Sequence, residues 1–288
     1  MFSSSHIPPG FHSQSQGSIT MIVSDAWKDS IEKLDLCHPG RIAAARSTGK
    51  GATGRGTTET LQLHRQDSSE AQLVFRPMLH GGILGPLLGP IYLSPKRVLN
   101  ELYVNWALRE GGAPVPEPIL AQVEKRGFGC HLAMGTRLEE DTVDGIAFLN
   151  QRPKAKRIAI VTHAVGRAVR RFHDAGGSHP DLHLKNVLIR EAHHGGRPPE
   201  VLIIDLDGAE IRQQVSPSRR MDELMRLYRS VIKRGHNQQL SGEPMRTFFD
   251  GYVGEDTELR DKLIARLPLE RRKLSLRRAS YRLRGWNS

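Results

Sequence analysis

The segment HPDLHLKNVLI, residues 179–189, constrains this chain more than any other stretch. It sets a carboxylate, Asp181, and a carboxamide, Asn186, five residues apart and directly ahead of an apolar run. A second apolar run, VLIIDLD (201–207), carries Asp205 at its end. The stretch before them, KRIAIVTHAVGRAVRRFHDAG (156–176), puts Ile158, Val161, Ala164, Val165, Ala168 and Phe172 on one stripe at helical spacing and stops at Gly176 and Gly177. The predicted order is a long amphipathic helix, a polar loop, a strand, and a second strand that ends on a carboxylate. Oxygen donors of this kind suit a hard cation bound to phosphates.

The N-terminal half adds elements of a different type. TTETLQL (57–63) and AQLVFR (71–76), with polar HRQDSSE between them, predict two paired strands, the second ending in Arg76. RIAAARSTGKGATGRG (41–56) precedes them and is basic and Gly-rich. Gly49, Gly51 and Gly54 fit G-x-G-x-x-G, and Gly54 and Gly56 add a second G-x-G. Residues without a Cβ let backbone N–H groups approach phosphates closely. A helix follows, with Ser94 as N-cap, Pro95 at its first position, Val98, Leu99, Leu102 and Trp106 on one face, and an end at Gly111 and Gly112. Glu101 lies in its middle. APVPEPIL (113–120) predicts an extended connection, and GCHLAMGTRL (129–138) a buried strand.

Taken in sequence, these parts follow the order of the protein-kinase signature set: Gly-rich turn, strand with a terminal cation, helix with a central Glu, H-x-D-x-x-x-x-N, and an apolar strand ending in Asp. Phosphoryl transfer depends mainly on positioning and charge neutralisation. Asp181 is expected to accept or orient the attacking hydroxyl, and Asn186 and Asp205 to hold Mg²⁺ on the nucleotide. Arg76 is expected to meet the α/β-phosphates of ATP, oriented by Glu101, with Gly54 and Gly56 beside them. His179 is read as support for the loop, and His183 and Lys185 as neighbours of the acceptor. The set departs from most kinases at two places. Arg76 stands where Lys is usual, and Asp207 fills the Gly place of D-F-G, either as another metal ligand or, the preferred reading, as a structural residue.

LVFRPMLHGGILGPLLGPIYL followed by NELYVNWALREGGAPVPEPI resembles the lipopolysaccharide kinases, in particular the 3-deoxy-D-manno-octulosonic acid (Kdo) kinases. The resemblance is carried by Arg76, Gly81-Gly82, Tyr92-Leu93, Glu101, APVPEP, HPDLHLKN and IDLD, over roughly residues 40–210. It implies that Arg76 is usual in this branch. It also implies an ATP-dependent kinase that phosphorylates the 4-hydroxyl of Kdo on a lipid A precursor, peripheral to the cytoplasmic face of the inner membrane.

Composition sets the remaining limits. The 288 residues, 38% of them hydrophobic, suffice for an α+β, bilobal protein-kinase-like fold with a small β-rich N-lobe and a larger, mainly helical C-lobe. The expected divisions are a disordered leader over 1–38, with Met21 a possible start, an N-lobe over 39–131 and a C-lobe with a basic tail over 132–288. Cys37 and Cys130, the two cysteines, predict neither a metal cluster nor a disulfide framework. No apolar run is long enough to span a membrane. The net charge of +11 favours anionic partners, and residues 257–288 hold ten Lys and Arg against three Asp and Glu. That tail is expected either to pack as a helical end or to meet an anionic membrane surface. Nucleic acid is not expected, because the chain has no zinc spacing, RNP-type aromatic run or clear helix-turn-helix. Two rival readings stay open: a small-molecule kinase of the aminoglycoside or choline type, and a kinase-like binding module.

Overall fold

The computed structural model describes residues 7–48, 58–64, 70–80, 90–191 and 198–283, apart from the side chains of 45–48, 271 and 273–283. Gly49, Gly51, Gly54, Gly56, Gly81 and Gly82 lie outside the described residues. The chain divides into two compact units, residues 1–140 with 205–209, and residues 141–204 with 210–288.

The first unit is built on a six-stranded antiparallel sheet. Its strands are β1 (Phe11–Gln16), β2 (Ile19–Ser24), β3 (Glu59–His64), β4 (Glu70–Pro77), β5 (Pro118–Arg126) and β6 (Gly129–Arg137), in the spatial order β1-β2-β5-β6-β4-β3. Helices α1 (Lys28–Lys33) and α2 (Arg41–Thr48) precede β3, and α3 (Lys96–Glu110) lies between β4 and β5. Side chains of a strand alternate between faces, so each strand contributes to two cores. Ile19, Met21 and Val23 join Trp27, Ile31, Leu73 and Phe75 in one core. Ile22, Ala121, Val123, Leu132 and Met134 join Val98, Leu99 and Leu102 of α3 in the other. A sheet covered on both faces explains why β5 is buried without a break from Pro118 to Glu124.

Three expectations change here. The disordered leader is not met from Phe11 onward, since β1 and β2 form a hairpin and β2 pairs with β5. The polar sequence FHSQSQ belongs to an edge strand whose side chains are exposed or half-buried, and it concealed the buried ITMIVS behind it. Residues 41–48, expected as the start of the basic, Gly-rich segment of 41–56, are the helix α2. The first unit runs past 131 to Glu140, because β6 pairs with both β4 and β5. The predicted pairing of TTETLQL with AQLVFR is found as β3 and β4, with Leu61 opposite Leu73.

The second unit carries short strands and five helices among the described residues. β7 (Thr142–Asp144), β9 (Val187–Arg190) and β10 (Glu200–Ile203) form a sheet in the order β10-β9-β7, and β8 (Gly177–Ser178) pairs with β11 (Glu210–Ile211). The helices are α4 (Gly145–Asn150), α5 (Ala155–Asp174), α6 (Pro217–Lys233), α7 (Glu243–Val253) and α8 (Thr257–Leu283). Ile158, Val161, Val165, Ala168 and Phe172 form the buried stripe of α5 predicted from its periodicity, while Ala164 is only half-buried. The crossing of α5 and α7 is close enough to require glycine on both sides. A Cβ on Gly166 would overlap the carbonyl of Phe248, and one on Gly251 would overlap the carbonyl of His163.

A buried polar chain crosses this unit. His173 Nδ1 lies 2.7 Å from the Tyr252 hydroxyl, and its Nε2 lies 3.1 Å from Glu223 Oε2. Glu223 also accepts from Ser178 Oγ (2.7 Å) and from the backbone N–H of His179 (2.9 Å). Burial holds the His173 imidazole below its ordinary value. Burial alone would raise the Glu223 carboxyl, but the bonds from His173, His179 and Ser178 outweigh it and hold the group low. The consistent assignment is a neutral imidazole between a phenol that donates and a carboxylate that accepts.

Two outcomes are expected. Gly166→Ala or Gly251→Ala should lower stability by about 1–3 kcal/mol through overpacking, read as a lower denaturant midpoint with an unchanged slope. An unchanged midpoint would contradict the close crossing. The polar chain adds a pH dependence of fixed sign. Above 6.5, the ordinary imidazole value, its contribution is fully present. As the pH falls below that value the unfolded chain takes up a proton that His173 does not, so stability declines. It declines further below 4.5, where the unfolded Glu223 protonates first. In unfolding midpoints measured against pH, His173→Gln should flatten the first of these declines.

Candidate active site

In the first unit the site starts from the alternation of β4. Ala71, Leu73 and Phe75 face one core, so Arg76 faces the opposite side, toward α3. That helix begins one residue later than predicted, with Pro95 as N-cap, and ends as predicted at Gly111. Glu101 lies on its buried face with Val98, Leu102 and Asn105 and is 4% exposed. Its Oε1 accepts from Arg76 Nη2 at 2.5 Å. Burial raises the Glu101 carboxyl and Arg76 opposes this, while the attraction of Glu101 keeps the guanidinium firmly protonated. Glu101 Oε2 has no hydrogen-bond partner among the described residues.

On its other side Arg76 Nη2 lies 3.7 Å from Asp205 Oδ1. A buried carboxylate, a half-buried guanidinium and a half-exposed carboxylate therefore follow one another. One cation between two carboxylates leaves a net negative charge on the exposed side, at Asp205. Asp205 adopts φ +60°, in the left-handed region that costs a non-glycine residue about 1–3 kcal/mol.

In the second unit α5 ends at Asp174, the chain passes through β8, and the loop of residues 179–183 leads through a single 3₁₀ turn (Leu184–Asn186) into β9. The loop is tied to itself. The N–H of Asp181 donates to His179 Nδ1 at 3.2 Å, so Nε2 carries the proton that meets the carbonyl of Ile204, also at 3.2 Å. Asn186 Nδ2 donates to the carbonyl of Asp181 at 3.1 Å, which leaves Asn186 Oδ1 as an acceptor. The buried Leu182 anchors the loop, and Leu184 N–H is held by Ser230 Oγ at 3.1 Å. The Asp181 carboxylate is 67% exposed, with His183 Nε2 at 3.5 Å. An exposed carboxylate on a fixed loop, with an imidazole beside it, can accept a proton or orient a hydroxyl.

Arg76, Glu101 and Asp205 are thus brought together in the first unit, and Asp181 and Asn186 in the second. Gly54 and Gly56 fall outside the described residues. Asp205 in the first unit and Asn186 in the second each present an oxygen of the type that small hard cations such as Mg²⁺ accept as ligands. Sequence reasoning missed two participants. Glu223, beneath the loop, carries no local motif. Arg97 donates from Nε (2.8 Å) and Nη2 to the two oxygens of Asp207. The signal for Arg97 was its position four residues before Glu101, on the same face of α3.

Comparison with known proteins gives this geometry a family. A model described as "Lipopolysaccharide kinase (Kdo/WaaP) family" matches residues 47–252. The 3-deoxy-D-manno-octulosonic acid kinase of Vibrio cholerae serotype O1 is 32% identical over 197 residues, covering 66% of this chain and 77% of that protein. The enzyme of the same name from Stenotrophomonas maltophilia strain K279a is 31% identical over 193 residues, covering 66% and 70%. A solved structure of WaaP in complex with acyl carrier protein superimposes with a TM-score of 0.56 at 21% identity, covering 88% of this chain and 97% of that one, and supports the protein-kinase-like α+β fold. With its family model spanning well over half of its length, the chain belongs to the lipopolysaccharide kinase (Kdo/WaaP) family and is an ATP-using phosphotransferase with an alcohol acceptor.

Proposed function

We propose that this kinase transfers the γ-phosphoryl group of ATP to the 4-hydroxyl of Kdo on a lipid A precursor, in assembly of the lipopolysaccharide inner core. The observation that carries the reading is the Arg76–Glu101 pair with Asp205 on its exposed side, in a chain similar to enzymes named for Kdo phosphorylation. Arg76, held by Glu101, meets the α/β-phosphates with a planar fork of donors. Asp205 and Asn186 hold Mg²⁺, which neutralises phosphate charge when bound. Asp181 accepts or orients the acceptor hydroxyl, and the His179 and Asn186 bonds fix its loop. Incubation with ATP, Mg²⁺ and Kdo-lipid A, followed by mass spectrometry, tests the reading. One added phosphate on Kdo supports it, and transfer only to small amino alcohols or aminoglycosides overturns it.

The acceptor is lipid-linked, so an anionic membrane surface at the cytoplasmic face of the inner membrane is the proposed partner. Among the described residues no helix is long and apolar enough to cross a membrane. A peripheral contact is supported by the turn KRGFG between β5 and β6, where Phe128 is fully exposed after Lys125 and Arg126. Leu93, 91% exposed, is brought to the same end of the sheet by the backbone bridge between Tyr92 and Cys130. An apolar tip beside cations suits a headgroup boundary. The side chains of the basic tail beyond residue 272 lie outside the described ones.

Three outcomes follow. Asp181→Ala should reduce turnover by about 10²–10⁴-fold with ATP binding retained, and Asp205→Asn should weaken Mg²⁺-dependent ATP binding more than Asn186→Ala, because it removes a formal charge. Near-parental turnover of Asp181→Ala would remove that residue from the chemistry. In vesicle co-sedimentation, Phe128→Ser with Leu93→Ser should reduce binding to anionic liposomes, and added salt should reduce it further. Undiminished binding would exclude the apolar tip from the contact.

A further inference from the structure

We propose that Arg97 and Asp207 form a clasp that sets the backbone of the 205–209 segment, making Asp207 a positioning residue for Asp205 and not a second metal ligand. The inference rests on the reading of Asp205 as a ligand of nucleotide-bound Mg²⁺. Four observations in the first unit carry it. Both oxygens of the Asp207 carboxylate are engaged by one guanidinium, through Nε at 2.8 Å and through Nη2. A bidentate pair of this kind fixes orientation as well as distance. The guanidinium is itself fixed, since Nη1 donates to the Tyr92 hydroxyl at 3.1 Å and its centre lies 5.2 Å from the centre of the Tyr92 ring. Tyr92 is in turn held by two backbone bonds with Cys130, at 2.9 and 2.8 Å, and by stacking on His80 at 4.1 Å.

The segment is also pinned on either side of the clasp. Leu206 is 2% exposed, and the N–H of Ala209 closes a turn onto the Leu206 carbonyl at 2.9 Å. Asp205 is the one residue of 205–209 outside glycine with a positive φ. With Leu206 buried, Asp207 clasped and the turn closed, the backbone that carries Asp205 is held, and its carboxylate lies 3.7 Å from Arg76 Nη2. A carboxylate already paired at both oxygens is a poor donor to a second cation, so the second Asp of IDLD is committed to Arg97.

The test measures ATP binding by calorimetry over a series of Mg²⁺ concentrations, with turnover as a second readout. Arg97→Met and Asp207→Ala should each weaken the Mg²⁺-dependent part of ATP binding by about tenfold, the lower end of what outer-shell partners of a metal ligand contribute. The double variant should be no weaker than either single one, because both remove the same contact. Arg97→Lys keeps the charge without the fork and should give an intermediate loss, which serves if the larger changes prevent folding. The clasp is overturned if Arg97→Met leaves Mg²⁺-dependent binding unchanged or tightens it, since freeing a second metal ligand would do that. It is also overturned if the folded variants lose only thermal stability. Asp205→Asn, run in parallel, separates the two levels. If that substitution leaves Mg²⁺-dependent binding intact, the reading of Asp205 fails and takes the clasp with it.

Discussion

Glu101 is a carboxylate set into an apolar cluster, and the rest of the first unit is arranged around keeping it charged. An ion in that setting needs a partner with good geometry, because removing one member of a buried pair strands the other. Arg76 is that partner. To reach Glu101 it must leave β4 on the α3 side, which fixes the register of β4 against β6 and the rotation of α3 about its axis. The same rotation turns Arg97, one helical turn earlier, toward Asp207. A single pairing requirement thus orients a strand, a helix and the segment that carries Asp205.

The second unit relies on a buried carboxylate in a different way. Glu223 has no cationic side chain as its main partner. It is stabilised by an imidazole N–H, a hydroxyl and a backbone amide. Hydrogen bonds to the charged form can substitute for a counter-ion. The amide is that of His179, so the same carboxylate that joins α5, α6 and α7 also fixes the first residue of the loop bearing Asp181. Stability and loop geometry share one group here, and a change in either is felt by the other.

Much of this was legible in the sequence wherever a period or a spacing carried the information. The stripe of α5, the β3–β4 pair, α3 with Glu101, and the H-x-D-x-x-x-x-N segment all have local signatures. Contacts between residues distant in sequence do not. Gln14 faces Met21 and Met21 faces Gln122, and nothing in the polar FHSQSQ announces that pairing. Arg97 and Asp207 are 110 residues apart, and Glu223 reaches His179 across 44. The division of the chain was misplaced for the same reason. β6 is assigned by its neighbours in the sheet and not by its own composition.

The membership of 205–209 in the first unit has a consequence for synthesis. The sheet and α3 are complete once β6 has left the ribosome, yet Arg97 then lacks its partner and Arg76 has only Glu101. The missing carboxylates emerge after α5, the loop and β10 have been made. A nascent chain halted before residue 205 would hold a closed sheet with Arg97 still without its acid and Arg76 with one of its two, so the first unit cannot mature as an independent folding step. Its last contacts have a sequence separation of more than one hundred residues, and long closures of this kind come late and slowly. Asp205 is therefore among the last parts of the unit to be set in place.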